Sequence, residues 1–447
     1  MELMTRDLTT GPETKSIIAF AIPLIIGNLF QQLYNVADTI IVGHFIGPHA
    51  LAAVGSSFTL MVFLTSIILG LCMGSGVAYS TFFGAKDEDN LKKSIFTSLW
   101  FIGLVTVVIN VSALLLLDPI LRFIRIPPEI FSDTKIYLRI VFYGIVFTAI
   151  YNYFATLLRS LGNSVIPLVF LVAATIVNIV LDLAFIIPLQ MGIAGAGWAT
   201  LIAQAFSALG LAVYCIVKVP QLRLESAHRK FDRALLKTIA SYSVLTSVQQ
   251  SLMNFGILLV QGLVNSFGVN VMAAFAAGVK IDSFAYLPAQ DFGNAFATFI
   301  AQNKGAGKNG RIERGIRSSL KLITLFCVVI SFIVVIFARP LLTIFIPAQE
   351  TEILRIGVQY LRIEGAFYCL IGYLFLFYGL YRGFGSAQTS VILTIISLGT
   401  RVVLAHLLAA IPAVGVWGIW ISIPIGWFLA DLVAFRKLRD LRLQIRL

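Results

Sequence analysis

Polar side chains recur along one face of an apolar stretch near the start of the sequence. The spacings are three, four and three residues between Asn28, Gln31, Asn35 and Asp38. At about 100° per residue, such spacings place all four side chains on the same face of a helix. A polar stripe that ends in a carboxylate is typical of a helix that faces a cavity or binds a cation. The alternative is a polar contact between helices that only stabilises packing.

A second carboxylate lies in a later apolar stretch, where Asn178 precedes Asp182 by one helical turn. With Asp38, these side chains offer oxygen ligands to a small hard cation, or a carboxyl pair that shares a proton. Thr200, in the next apolar stretch, adds a hydroxyl, although a threonine in such a position more often only packs. The sequence therefore predicts a cation or proton site at these four residues.

The elements that position these residues must be membrane-spanning helices. The 447 residues are 59% hydrophobic and only 12% charged, and the mean hydropathy is +0.93. Soluble domains carry about 25% charged residues, so this chain has too little polar surface for water. Stretches of about 20 apolar residues predict an all-α protein with about twelve spans. They cover residues 16–42, 51–80, 94–117, 136–157, 165–187, 196–217, 237–263, 271–300, 319–338, 356–380, 389–411 and 416–435.

The net charge of +12 reflects membrane topology rather than nucleic-acid binding. With twelve spans, the termini and the even-numbered loops carry 24 of the 33 lysines and arginines, and the odd-numbered loops carry 7. Positive residues concentrate on the cytoplasmic side, so both termini are predicted to be cytoplasmic.

The two halves of the sequence repeat. Four landmarks recur at a nearly constant offset, which predicts two parallel six-helix lobes related by an axis along the membrane normal. The predicted domains are residues 1–217, a basic cytoplasmic linker at 218–236, and residues 237–447. The landmarks begin at Gly84, Asp118, Leu158 and Gly195 and recur from Gly305, Arg339, Tyr381 and Gly415. The linker is either a solvated connection or a patch for anionic lipid.

The predicted cation site has no counterpart in the second half, where Arg401 and Ala405 stand opposite Asn178 and Asp182. Ionisable residues inside spans are costly, however, so they are still functional candidates. Lys280 and Asp282 are either a structural ion pair or part of a second polar site. The polar candidates of the second half are Gln250, Asn254, Lys280 and Asp282.

The sequence gives no support for nucleotide binding, zinc binding or nucleophilic catalysis. The GxGxxG pattern at 305–310 follows a membrane helix rather than a strand, and no GxxxxGK[ST] motif occurs. The four cysteines are isolated, and no nucleophile triad or zinc spacing is present. We therefore expect a protein that is not an enzyme, with no cofactor and no metal beyond a transported Na⁺.

The sequence resembles the multidrug and toxic compound extrusion (MATE) transporters along nearly its whole length. The motifs that carry this resemblance are QQLYNVADTIIVG at 31–43, LRSLGN at 158–163, NIVLD at 178–182, KIDSF at 280–284 and QNKGAG at 302–307. The resemblance implies two lobes around a central cavity, and export of cationic amphipathic compounds in exchange for H⁺ or Na⁺. It points to the prokaryotic branch, in the cytoplasmic (inner) membrane, with a first-lobe cation site at the positions of Asp38, Asn178, Asp182 and Thr200.

Further expectations concern the transport path. Pro23 removes a backbone donor from the first helix and so predicts a hinge. Polar and aromatic side chains that suit flat cations predict a substrate cavity at Gln31, Tyr34, Asn35, Tyr151 and Phe154. The expected partners are organic cations and membrane lipid, and the expected state is a monomer. Two alternatives remain: a flippase for lipid-linked precursors, which generally has a cationic cavity and more helices, and a receptor without transport.

Overall fold

The computed structural model describes residues 6–222, 225–229 and 232–446, and these residues form helices without any strand. Within them, each half of the chain contributes eight α-helices. The first half contains α1 Glu13–Phe45, α2 Pro48–Gly84, α3 Glu88–Leu115, α4 Leu117–Phe123, α5 Pro128–Tyr143, α6 Ile145–Ser160, α7 Val165–Ile186 and α8 Gly192–Lys218. The second contains α9 Arg233–Asn265, α10 Val269–Gly305, α11 Asn309–Ile336, α12 Ala338–Thr343, α13 Thr351–Ala366, α14 Tyr368–Gly383, α15 Ala387–Ala409 and α16 Val416–Arg446.

The repeat extends to helix lengths and to backbone conformation. Both α1 and α9 have 33 residues, and both α2 and α10 have 37. Eight of the eleven described residues with positive φ occur in pairs at the offsets found in the sequence. These pairs are Gly47 with Gly268, Lys86 with Gly307, Gly162 with Gly385, and Gly192 with Gly415. The two halves are therefore built on one template.

Two predicted spans are wrong in detail, because each is a bent pair of helices rather than one helix. The span predicted at 136–157 is α5 followed by α6, with a bend of 41° at Gly144, and the span at 356–380 is α13 followed by α14, with a bend of 52°. At Gly144, a Cβ atom would lie 2.2 Å from Oε1 of Gln204 on α8, so α8 packs directly against the bend. Within the described residues, ten long apolar helices and the two bent pairs make up to twelve spans, which confirms the predicted fold class.

The chain divides into two compact units. Within the described residues, the first unit comprises residues 6–7 and 22–247, and the second comprises residues 8–21 and 248–446. Helix α1 thus starts in the second unit and passes into the first after Ala21, and α9 passes the opposite way after Ser247. Part of the predicted linker forms 3-10 turns at Pro220–Leu222 and Ser226–Arg229, whereas Arg223 and Lys230 lie outside the described residues.

Within the second unit, the start of α11 holds the N-terminal segment from residue 8 to residue 11. Arg311, which is buried, donates from its guanidinium to the backbone carbonyls of Leu8, Thr10 and Gly11. Lys308 donates to the carbonyl of Thr9 at 2.8 Å. The glycine-rich stretch at 305–310 therefore ends α10 and begins a helix that anchors the start of the chain.

Within the first unit, α2 packs tightly against the first part of α9 through small residues. Added Cβ atoms at Gly70 and Gly74 would lie 2.3 and 2.4 Å from the Cα atoms of Ser247 and Ser243. The hydroxyls of Ser75 and Ser243 are 2.9 Å apart. Small residues at this spacing let membrane helices approach closely, so this seam fixes the position of α9.

Candidate functional site

The carboxylate of Asp38 lies in the interior of the first unit. Asp38 is on the last third of α1, and its side chain is only 6% exposed. The helix runs without interruption from Glu13 to Phe45, although Pro23 is inside it. Neighbouring positions on α1 are apolar and outward-facing, such as Val36 and Ile40. Asp38 is therefore turned toward the other helices of the unit, whereas Gln31, from the same predicted polar stripe, is exposed.

Helices α7 and α8 bring the other three predicted residues to the same place. Asn178 and Asp182 are fully buried, and Thr200 is 5% exposed. With its amide in the orientation that satisfies both atoms, Asn178 donates to Oδ2 of Asp182 at 2.9 Å and accepts from the backbone N–H of Thr200 at 3.2 Å. The amide thus links the acidic face of α7 to the backbone of α8.

Asp38 and Asp182 form a carboxyl pair. Their side chains lie within hydrogen-bonding reach of each other, and Oδ1 of each has no hydrogen-bond partner among the described residues. Two adjacent carboxylates cannot both stay ionised in a buried site unless a cation lies between them. The arrangement can therefore hold a shared proton or one small cation, with the two unpartnered oxygens as ligands.

Two tyrosines surround this pair. The hydroxyl of Tyr34, one turn before Asp38, is 3.3 Å from Oγ1 of Thr200. Tyr137 on α5 is buried and lies near Asp38, Asp182 and the Thr200 hydroxyl. Tyr137 was not among the residues predicted from the sequence, because α5 is distant in sequence and carries no polar stripe that points to the site.

The remaining predicted cavity residues of the first unit are spread over different environments. Gln31 is exposed, and Asn35 is half-buried. Tyr151 donates to the carbonyl of Pro167 at 2.9 Å and packs on the apolar core, and Phe154 belongs to that core. Of the predicted cavity residues, only Tyr34 joins the carboxyl pair.

The second-unit candidates do not form one cluster. Gln250 and Asn254 are half-buried on α9. Lys280 is exposed, and its ammonium lies 5.8 Å from the ring centre of Phe345, beside a cavity of about 280 Å³. Asp282 is buried and accepts hydrogen bonds from two tyrosines instead of pairing with Lys280.

One buried carboxylate was not predicted from the sequence. Asp431 on α16 is 3% exposed, and neither of its carboxylate oxygens has a hydrogen-bond partner among the described residues. Its position inside an apolar run, between Phe428 and Phe435, is the sequence feature that could have identified it as a buried carboxylate. Across the described parts of the chain, no group of three His, Cys, Asp or Glu side chains could hold a metal ion.

Comparison with known proteins matches this architecture and its repeat. The MatE family model matches the chain twice, over residues 23–184 and 245–407. The probable multidrug resistance protein YoeA of Bacillus subtilis is 28% identical over 97% of this chain and 96% of its own length. Two crystal structures, described as MATE in the bent and in the straight conformation, superpose with TM-scores of 0.92 and 0.91. Both are 25% identical, and the matches cover 98% of this chain and 97% and 98% of theirs.

Proposed function

This chain belongs to the MatE family, the MATE transporters, and on that premise we propose that it exports cationic amphipathic compounds in exchange for H⁺ or Na⁺. Export of several drugs agrees with the name of its Bacillus subtilis relative, a probable multidrug resistance protein. The coupling ion binds at Asp38, Asn178, Asp182 and Thr200. The observation that carries this proposal is the buried Asp38–Asp182 pair with one unpartnered oxygen on each carboxyl.

The coupling follows from competition between ion and substrate. When the pair holds a proton or Na⁺, its charge is compensated without a drug. When the ion leaves, the first unit gains a buried negative charge, which favours binding of an organic cation nearby. An antiporter needs this opposition, because a ligand shifts a conformational equilibrium only by its differential affinity for the two states.

Tyr34 couples the ion site to the substrate cavity, because it belongs to both. It is both a predicted cavity residue and a hydrogen-bonding neighbour of Thr200 in the ion site. A change in the hydrogen bonds of Thr200 therefore changes the position of an aromatic ring that suits flat cations. Gln31 and Asn35 on the same helix belong to the proposed cavity, whereas Tyr151 and Phe154 on α6 pack in the apolar core.

Pro23 is the proposed hinge. It lies two residues after Ala21, where α1 passes from the second unit into the first. Proline lacks the backbone N–H and clashes with the preceding turn, so a helix bends there at lower cost. The similarity to structures described as MATE in the bent and in the straight conformation is consistent with a protein that has two conformations.

The protein functions as a monomer in the cytoplasmic membrane with both termini in the cytoplasm. The distribution of lysines and arginines supports this orientation. The outward-facing side chains are strongly apolar, with Leu104 66% exposed and Phe332 65% exposed, as expected for contact with lipid tails.

Dye efflux from proteoliposomes, with pH and Na⁺ gradients imposed separately, tests the proposal. We expect a fluorescent organic cation to cross the membrane against its own gradient only when H⁺ or Na⁺ flows down its gradient in the opposite direction. Asp89→Asn is the matched control, because Asp89 is an exposed carboxylate paired with Lys93 at 2.5 Å, and this variant should transport like the wild type. Gradient-independent leakage would contradict the proposal, and movement of a labelled lipid without dye transport would favour the flippase alternative.

A further inference from the structure

A second buried polar cluster lies within the second unit. Asp282 on α10 accepts hydrogen bonds on both carboxylate oxygens, from the hydroxyls of Tyr360 on α13 and Tyr368 on α14. Glu364, one helical turn after Tyr360, is only 2% exposed, and its Oε1 has no hydrogen-bond partner among the described residues. Two buried carboxyls therefore lie in one region, and only that of Asp282 has a hydrogen-bond donor for each of its oxygens.

This cluster occupies the place in the repeat that corresponds to the ion site of the first unit. The offset that relates Gly162 to Gly385 also relates Tyr137 to Tyr360 and Asn178 to Arg401. Both Tyr137 and Asn178 belong to the Asp38–Asp182 site. The second unit therefore has ionisable chemistry at the equivalent location.

The two acids, Asp282 and Glu364, have no acidic counterpart at the equivalent positions of the first unit. The offset between the starts of α2 and α10 places Asp282 opposite Met61, and the offset between α5 and α13 places Glu364 opposite Val141. In the first unit, Met61 packs on the apolar cluster that contains Val141. Two hydrophobic positions of one half have thus become carboxyls in the other, together with an arginine in place of an asparagine.

The charges of the cluster do not balance. Arg401 on α15 is the positive charge that acts on both carboxyls at longer range, and its Nε has no hydrogen-bond partner among the described residues. The other groups that face them are neutral hydroxyls and rings: Tyr286 on α10, Tyr360 on α13, Tyr368 on α14, and Trp420 on α16, whose ring centre is 4.8 Å from that of Tyr360. Lys280 is exposed beside Phe345 and takes no part. Two ionised acids against one arginine would leave one uncompensated charge in an apolar interior.

We propose that Glu364 is a second proton-binding site of this protein, with Arg401 as the fixed counter-charge of an ionised Asp282. Asp282 accepts two hydroxyl donors, which suits a carboxylate, whereas Glu364 has an unpartnered oxygen and no cation left to compensate it. Loss of its proton would leave a buried unpaired charge, which favours a rearrangement that admits water. A role of this proton in transport rests on the proposed antiport, whereas its binding to Glu364 does not.

Infrared spectroscopy of the purified protein in lipid nanodiscs tests the site directly. Near neutral pH, exposed carboxyls are ionised, so the absorption of protonated carboxyls reports buried groups. We expect Glu364→Gln to remove the absorption of about one carboxyl and to leave the melting temperature unchanged, because glutamine resembles the protonated acid in size. Glu352→Gln is the control on the same helix, since Glu352 is exposed and paired with Arg355 at 2.7 Å, and it should change nothing. An unchanged spectrum in Glu364→Gln would overturn the proposal.

Variants of Arg401 provide an independent arm. Arg401→Gln should add the absorption of a second protonated carboxyl, because Asp282 loses its counter-charge, whereas Arg401→Lys should not. Absence of the new absorption in Arg401→Gln would refute the charge arrangement. Addition of Na⁺ should leave the Glu364 absorption in place, and its disappearance would show a metal-cation site instead. Asp38→Asn should leave the absorption that Glu364→Gln removes in place, so failure of the Glu364 proposal and failure of the proposed function can be told apart.

Discussion

Replacing Asn178 by alanine should weaken both the ion site and the packing of α7 on α8. Its buried amide makes one hydrogen bond to the carboxyl of Asp182 and one to the backbone N–H of Thr200. A bond to a charged group contributes about 1.5–3 kcal/mol and a neutral one about 0.5–1.5 kcal/mol, so Asn178→Ala should destabilise the protein by about 2–4.5 kcal/mol. If the contribution of the hydrogen bond to Asp182 is lost from the free energy of ion binding, the affinity for the coupling ion falls by roughly 10- to 100-fold.

The assay is the dependence of dye efflux on the concentration of the coupling ion, together with the melting temperature in detergent. The variant should need a correspondingly higher ion concentration for half-maximal efflux, and it should melt at a lower temperature. Asn152→Ala is the matched control, because Asn152 is half-buried on α6 and donates only to the carbonyl of Thr148 in its own helix, at 2.9 Å. An Asn178→Ala variant with the ion dependence of the wild type would refute the argument that this amide organises the site.

Three further predictions concern packing and motion. Gly74→Leu should prevent α2 from packing on α9, at a cost of several kcal/mol, and should abolish a monodisperse peak in size-exclusion chromatography, whereas Gly103→Leu, with nothing within 4 Å of an added Cβ, should not. Arg311→Ala should raise hydrogen exchange of the N-terminal segment by at least tenfold, since it removes the donors to three backbone carbonyls; exposed Arg317→Ala is its control, and equal exchange in both would contradict the anchoring. Pro23→Ala should reduce gradient-driven efflux severalfold with unchanged insertion in membranes, and full activity would refute the hinge.

The sequence predicted the parts of the fold and site that depend on helical periodicity. Apolar runs located the spans, and the spacing of Asn178 and Asp182 placed both side chains on one face of one helix, where the structure has them. The bends within the fourth and tenth spans were not predictable, because hydropathy stays continuous across them. The bend at Gly144 depends on Gln204 of α8, which is a tertiary contact.

Neighbours in sequence were a poor guide to the second unit. Lys280 and Asp282 were candidates for an ion pair, yet residues two apart on a helix point to different sides. One is exposed and the other is buried against two tyrosines. The partners of Asp282 come from α13, α14 and α15, and no local pattern specifies which helix faces pack together. For the same reason Tyr137 could not be assigned to the first site.

Gradient-driven efflux by Asp38→Asn in proteoliposomes is the decisive test of the proposed coupling site. The substitution keeps the size of the side chain and removes one member of the buried carboxyl pair. We expect the variant to insert and fold like the wild type, to bind dye, and to show no efflux in response to either a pH or a Na⁺ gradient. Efflux at the wild-type rate, under the same gradient, would contradict the assignment of the coupling site to Asp38 and Asp182.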